Sequence, residues 1–132
     1  MTLAPLLAAP VLVQLHALAA LGALGTGLWQ LAGGKGTALH RRLGWVWAGL
    51  MAVVAVSSLG ISSARSAGAW SWVHGMALIV LLVLPLGVMH ARRGRIRPHR
   101  ISMLALFLGA LVIAGGFTLM PGRIMGRVVF GS

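Results

Sequence analysis

Histidine is the residue type in this sequence with the most chemistry to offer, and four of the five histidines form two similarly spaced pairs. His16 and His40 are 24 residues apart, and His74 and His99 are 25 residues apart. Neutral imidazole ligates haem iron, zinc and copper, and it also carries protons. The fifth, His90, has no counterpart in the first half of the chain and is a reserve ligand.

The paired histidines belong to an internal repeat. The first half contains LHAL and then GTALHRR and ends near Arg65, while the second contains VHGMAL and then GRIRPHR and ends near Arg123. The offset is 58 residues from His16 to His74 and 59 residues from His40 to His99. A difference of one residue in a loop accounts for the mismatch. We therefore expect one domain over 1–132, with repeats at about 10–65 and 68–123.

Composition indicates that membrane-spanning helices position these histidines. Of the 132 residues 59% are hydrophobic, and the chain has 11 Lys and Arg but no Asp or Glu. The mean hydropathy is +0.98, which is too high for a soluble domain this small. The basic clusters separate apolar runs of about 20 residues, enough to cross a bilayer. The sequence predicts an all-α fold, a four-transmembrane-helix bundle made of two tandem helical hairpins in the same orientation, with spans at about 10–32, 38–63, 70–90 and 98–120.

Three local signals mark the ends and shape of these spans. Thr37 is a plausible N-cap for the second span, and Pro98 suits the first position of the fourth. Pro85 should kink the third span near its end.

The apolar N-terminus lacks the basic segment of a signal peptide, so we interpret it as a retained first span. After Pro121 and Gly122 we expect only a short basic tail.

The basic residues predict orientation. Eight lie in or beside the two long loops, namely Lys35, Arg41, Arg42, Arg92, Arg93, Arg95, Arg97 and Arg100, against Arg65, Arg123 and Arg127 on the other side. The positive-inside rule then puts both loops in the cytoplasm and both termini outside, as expected in a bacterial inner (plasma) membrane. The clusters are expected to contact membrane lipids, and we expect no nucleic-acid partner.

Two hairpins in the same orientation place equivalent histidines at equal depth. His16 and His74 form an outer pair on spans one and three, and His40 and His99 form an inner pair at the cytoplasmic ends of spans two and four. The two depths differ by roughly 20–25 Å. Each pair suits bis-His ligation of haem b, giving one or two haems. Without cysteine, covalent haem attachment is excluded.

Other residues could support such sites. Arg41 and Arg100 lie beside the inner pair and could hold haem propionates, although lipid phosphates would suit them equally. Arg65 and Arg123 could do the same for the outer pair. Small residues near the histidines, which are Gly22, Gly25, Gly27, Gly44 and Gly75, either leave room for a macrocycle or permit close helix packing. His90 is a reserve ligand for the inner pair or a quinone-facing residue, and Met103 is a weaker reserve ligand, since such a methionine is more often core packing.

Four helices with one histidine each, paired first with third and second with fourth, resemble the dihaem b-type membrane cytochrome superfamily. This superfamily includes ascorbate-reducible transmembrane cytochromes and bacterial superoxide oxidase. The His-Arg pairs at His40 and His99, with His16 and His74 upstream, also resemble an uncharacterised family of small bacterial membrane proteins. The resemblance covers nearly the whole chain and implies electron transfer. One departure is that His40 and His99 lie at the very start of their helices, so the resemblance supports the outer site more strongly.

Several functions fit this pattern. The leading hypothesis is a membrane electron-transfer protein that exchanges electrons with quinone or a small reductant, with haem-dependent oxidoreductase activity as an open question. Trp45, Trp47, Trp70 and Trp72 could line a quinone pocket, although interfacial anchoring is their commoner role. The alternative is a non-catalytic small membrane subunit, in a homo-oligomer or larger complex, whose histidines serve assembly or lipid contacts. A proton-coupled exporter is disfavoured because no carboxylate is present. A zinc or copper site built on His16 and His74 would be incomplete.

Overall fold

The structure is a computed structural model that describes residues 3–34, 36–65, 72–117, 119 and 124–130. The regular secondary structure in these residues is entirely helical, which confirms the all-α prediction. The helices are α1 (Ala4–Leu7), α2 (Val11–Ala32), α3 (Ala38–Arg65), α4 (Trp72–Arg92), α5 (Ile96–Ala105), a π-helical segment (Leu106–Ile113), α6 (Ala114–Phe117) and α7 (Ile124–Phe130).

Three helices are long and apolar enough to cross a membrane, over Val11–Ala32, Ala38–Ile61 and His74–Arg92. Their outward faces carry exposed apolar side chains, for example Leu18 at 63% exposure and Ile79 at 61%. Contiguous apolar surface of this extent is costly in water, whereas lipid chains cover it without penalty. These helices therefore have the length and the surface of membrane spans.

The fourth predicted span is not one regular helix. The helix α5, the π-helical segment and α6 follow one another directly from Ile96 to Phe117, so π-helical turns separate the two α-helices. Within the described residues no uninterrupted α-helix in this stretch reaches spanning length. The structure therefore supports three spans, and the fourth remains a prediction.

The helix ends confirm one predicted signal and correct another. Thr37 Oγ1 accepts a hydrogen bond from the backbone N–H of His40 at 3.0 Å, so Thr37 is the N-cap of α3. Pro98 is the third residue of α5 rather than the first, because the helix begins at Ile96. Proline is tolerated there since the first N–H groups of a helix have no partner within it. Pro85 lies inside α4, which continues to Arg92.

The helices pack in a ring. The helix α3 packs against α2 and α4, α4 also packs against α5, and the π-helical segment contacts both α2 and α4. Within the described residues no Cα atom of α2 lies within 8 Å of one in α4, so the two helices lie diagonally across the ring. Buried side chains from α2, α3, α4 and the π-helical segment fill its centre, including Ala23, Met51, Leu84 and Phe107.

The two ends of the chain meet at the end of the ring where α2 begins. The short helix α1 packs against α7, and Leu6 and Val128 form a small buried cluster with Ala17 of α2. The side-chain amide of Gln14 donates hydrogen bonds to the carbonyl oxygens of Leu7 and Ala9, at 3.1 and 2.9 Å. The sequence had predicted only a short basic tail after Pro121, a proline that lies outside the described residues. The structure adds a helix at 124–130 that closes against the N-terminus.

Two glycines of α2 give a matched test of this packing. An added Cβ at Gly27 would lie 2.6 Å from Phe107 Cε2 and 3.0 Å from Trp47 Nε1, whereas one at Gly25 would meet nothing within 4 Å. We expect Gly27→Ala to lower the free energy of unfolding by about 1–3 kcal/mol through overpacking. Gly25→Ala should be neutral or stabilising by up to about 1 kcal/mol. Denaturant unfolding in detergent, followed by circular dichroism, measures both, and equal effects would contradict the packing of Phe107 on Gly27.

Candidate functional site

Each of the four paired histidines lies on the face of its helix that is buried in the ring. Residues three, four or seven positions apart share one helix face, and at these spacings each histidine is followed by core residues. His74 is itself buried at 8% exposure, and the other three are half-buried. The buried residues on the same faces are Ala23 after His16, Trp47 after His40, Ala77 after His74 and Leu106 after His99.

His16 is held by α3 through one ring nitrogen. Its Nδ1 lies 3.1 Å from the carbonyl oxygen of Val54 and 2.9 Å from Ser57 Oγ. The Ser57 hydroxyl donates to the carbonyls of Val53 and Val54, at 2.6 and 3.1 Å, which leaves its oxygen free to accept. A carbonyl oxygen can only accept, so Nδ1 of His16 carries the proton. The lone pair is then on Nε2, the arrangement that metal-ligating histidines commonly show.

The setting of the outer pair contains polar and small buried side chains. In the part of the chain that the structure describes, the buried polar side chains are Ser57 and His74, both in the outer half of the ring. Small buried residues on the three helices α2, α3 and α4 include Ala19, Ala23, Ala55 and Ala77. His16 on α2 and His74 on α4 belong to helices that both pack against α3 on one side and the π-helical segment on the other.

His99 is held in the same manner at the other end. Its Nδ1 lies 2.9 Å from the carbonyl oxygen of Gly87 in α4. Nδ1 therefore donates, and Nε2 keeps its lone pair. The absence of a side chain at Gly87 lets α5 approach, because an added Cβ there would meet Met103 Cε and would lie 3.1 Å from Ser102 Cβ. Met103 therefore serves as a packing residue against α4.

His40 occupies the corresponding place on α3, one turn inside the N-cap. Its carbonyl oxygen accepts a hydrogen bond from Gln30 Nε2 at 2.7 Å, which ties α3 to the end of α2. A groove of about 350 Å³ opens at this end, lined by Trp29, Gln30, Ala32, Gly33, Gly34, Thr37, Leu39 and His40. The inner pair therefore lies close to the surface, as the sequence predicted.

The inner half of the core is filled by larger side chains than the outer half. Trp47, Leu84, Leu106 and Phe107 are all buried there, and Met51 at the centre is fully enclosed. The sequence had favoured interfacial anchoring for Trp47, and this was wrong because its ring lies in the core at 5% exposure. Among the described residues its indole Nε1 has no hydrogen-bond partner. This nitrogen is a buried donor for which the described residues supply no acceptor.

The remaining predicted site residues are more exposed or lie outside the described part. Arg41 and Arg100 are both exposed at the inner end, and Arg41 Nη1 donates to the carbonyl of Gly36 at 3.3 Å. Arg123, Trp70 and Lys35 are outside the described residues, as are the side chains of Arg65 and Trp72. Trp45 is exposed, which suits an interfacial role, and so is Trp29, which the sequence analysis did not single out.

The glycines and the reserve ligand complete the comparison with the sequence. Gly27 and Gly22 serve close packing, since an added Cβ at Gly22 would lie 3.3 Å from Leu50. Gly25 is exposed and takes no part in the core.

His90 is half-buried near the turn between α4 and α5, and its carbonyl accepts from the N–H of Arg95. Within the described residues no three metal-ligating side chains come together, so the zinc or copper alternative gains no support.

The residues that sequence reasoning missed are Ser57 and Gln30. Each is a polar side chain in an apolar span, and that is the signal that could have identified them, because such groups need partners inside a membrane.

A scan against protein-family models, a search of curated proteins and a search of solved structures each found no match to this chain.

The carbonyl contacts predict the proton positions on two imidazoles. In the neutral form of His16 and His99 we expect the proton on Nδ1, because the Nδ1 atom of each ring lies beside a carbonyl oxygen, which can only accept. Nitrogen-15 chemical shifts of histidine-labelled protein in lipid report the tautomer, with His→Gln variants to assign the signals. An Nε2-protonated ring at either position would contradict the geometry.

Proposed function

We propose that this chain is a membrane electron-transfer protein that binds b-type haem through the outer pair, His16 and His74, with a second haem site at the inner pair, His40 and His99. In this proposal the segment 96–117 is the fourth membrane span. The chain is then a four-helix bundle of two tandem hairpins in the bacterial plasma membrane.

The observation that carries the proposal is the way the chain holds its imidazoles. His16 and His99 belong to different pairs and different repeats, yet each donates from Nδ1 to a backbone carbonyl of the neighbouring helix. Such a bond fixes the ring orientation, increases the basicity of the other nitrogen and leaves its lone pair for a metal. A bound b haem would supply one-electron transfer between ferric and ferrous iron.

The residues around the outer pair suit a macrocycle better than those around the inner pair. Ala23, Ala55 and Ala77 are buried in the core, so a flat group that separated the helices there would meet few large side chains on these positions. Ser57 accepts from His16 and keeps its ring in place. At the inner end, Arg41 and Arg100 are exposed cations that would bind propionates, and the unpartnered Trp47 N–H is a donor for the same ligand.

A separate observation favours the alternative of a non-catalytic membrane subunit. The core between the two histidine pairs is filled by side chains, with Met51 fully enclosed. Hydrogen bonds such as those of His16 and His99 also join helices in membrane proteins that hold no cofactor. On this alternative the histidines fix helix positions, and the purified protein is colourless.

Absorption spectra of the purified protein, oxidised and dithionite-reduced, distinguish the two functions. After expression with ample haem we expect a Soret band and a reduced α band. Haem content should fall at least twofold in His74→Leu and should be unchanged in His90→Leu, the matched control on the same helix. A colourless protein under these conditions would reject the cytochrome function. A loss in His90→Leu without one in His74→Leu would reject the pairing.

The proposed orientation has its own test, because the chain contains no cysteine. Single cysteines at Gly34→Cys, in the first loop, and Phe130→Cys, in α7, both replace exposed residues and leave the charge balance unchanged. On intact spheroplasts we expect a membrane-impermeant maleimide to label only the Phe130→Cys protein, with the unchanged chain as the blank. Labelling of Gly34→Cys alone would reverse the orientation. Labelling of both or neither would put the two positions on the same side of the membrane, and this would reject the arrangement with four spans.

A further inference from the structure

Exposed arginines gather at one end of the ring, and the densest group surrounds the turn between α4 and α5. Five lie within nine residues, and all five side chains are exposed, namely Arg92, Arg93, Arg95, Arg97 and Arg100. We refer to these five as the arginine rim. The sequence contains no Asp or Glu, so no side chain of this chain can neutralise them.

The turn holds the rim in a compact form. Gly94 has a φ of +73°, a backbone conformation that residues with a Cβ rarely adopt. The N–H of Arg95 donates to the carbonyl of His90 at 2.8 Å, and that of Ile96 donates to Gly94 at 3.1 Å. The five cations are therefore held within a few residues of one tight turn. Their mutual repulsion is reduced only by salt or by bound anions.

The neighbours of the rim indicate its depth. Met89, Ile96 and Ile101 are apolar and 39%, 55% and 61% exposed. Exposed apolar residues among arginines are typical of the boundary between hydrocarbon and water, where long cationic side chains extend toward the phosphate level. A soluble acidic protein would meet the cations but would not cover this apolar surface, whereas a phospholipid covers both.

We propose that the arginine rim binds the phosphate headgroups of anionic phospholipids, with their acyl chains against Ile96 and Ile101. This binding requires no haem, and only Arg100 of the rim is shared with the propionate contacts proposed above. The phosphate groups of the lipid then supply the negative charge that the chain lacks. A lipid with two phosphates would engage the rim more strongly than one with a single phosphate, because the five cations are close together.

Spin-labelled lipids test this binding with the full chain in phosphatidylcholine membranes. The ratio of protein-associated labelled phosphatidylglycerol to labelled phosphatidylcholine measures the preference. At low salt we expect a ratio of several-fold, since each arginine at an anionic surface contributes roughly fivefold in affinity. The ratio should be larger for labelled diphosphatidylglycerol. It should fall toward one in 1 M NaCl, where the Debye length is only about 3 Å and charges farther apart are screened from each other. A ratio near one at low salt would overturn the proposal.

A variant assigns the preference to the rim. The triple variant Arg92→Gln, Arg93→Gln and Arg95→Gln should lose most of it, and Arg127→Gln, an exposed arginine of α7, should retain it. A preference that survives in the triple variant would place the lipid site elsewhere and overturn the proposal. So would displacement of the anionic lipid by soluble heparin at equal charge, since that would indicate a surface for soluble polyanions. If the triple variant does not fold, the salt series on the unchanged protein decides.

Discussion

A polar group inside a hydrocarbon layer must find its hydrogen-bond partner within the protein, and this constraint governs the histidines of this chain. His16 meets it through a backbone carbonyl and a serine of α3, and His99 through a carbonyl of α4. Each contact joins two helices and sets the orientation of an imidazole at once. Helix packing and the candidate site thus depend on the same bonds, so a change that loosens α3 from α2 would also release the His16 ring.

Most of what could be predicted from the sequence follows from local signals. Apolar runs and basic clusters predicted the three long helices within about two residues, and Thr37 predicted the start of α3. The four paired histidines are buried or half-buried, and the pairing that their spacing predicted stays a prediction. These features depend on residues within a few turns of one another, and a sequence displays such relations directly.

Features that depend on distant residues could not be predicted in this way. The cluster of Leu6 with Val128 joins the two ends of the chain, and no local pattern shows that α1 and α7 meet. The π-helical turns at 106–113 form in an apolar stretch with no marker of its own, next to the contacts with α2 and α4. Trp47 was misinterpreted because tryptophan is common at membrane interfaces, although its position seven residues after His40 gave it the same buried face.

We propose that His16 and His74 both ligate one haem iron, each from its own helix. Low-temperature EPR of the oxidised protein, with single His16→Gly and His74→Gly variants, tests it most directly. We predict only low-spin ferric signals in the unchanged protein, conversion of the same signal to high spin in either variant, and its return to low spin on adding imidazole. Changes in two different signals, or no change in either variant, would contradict the claim.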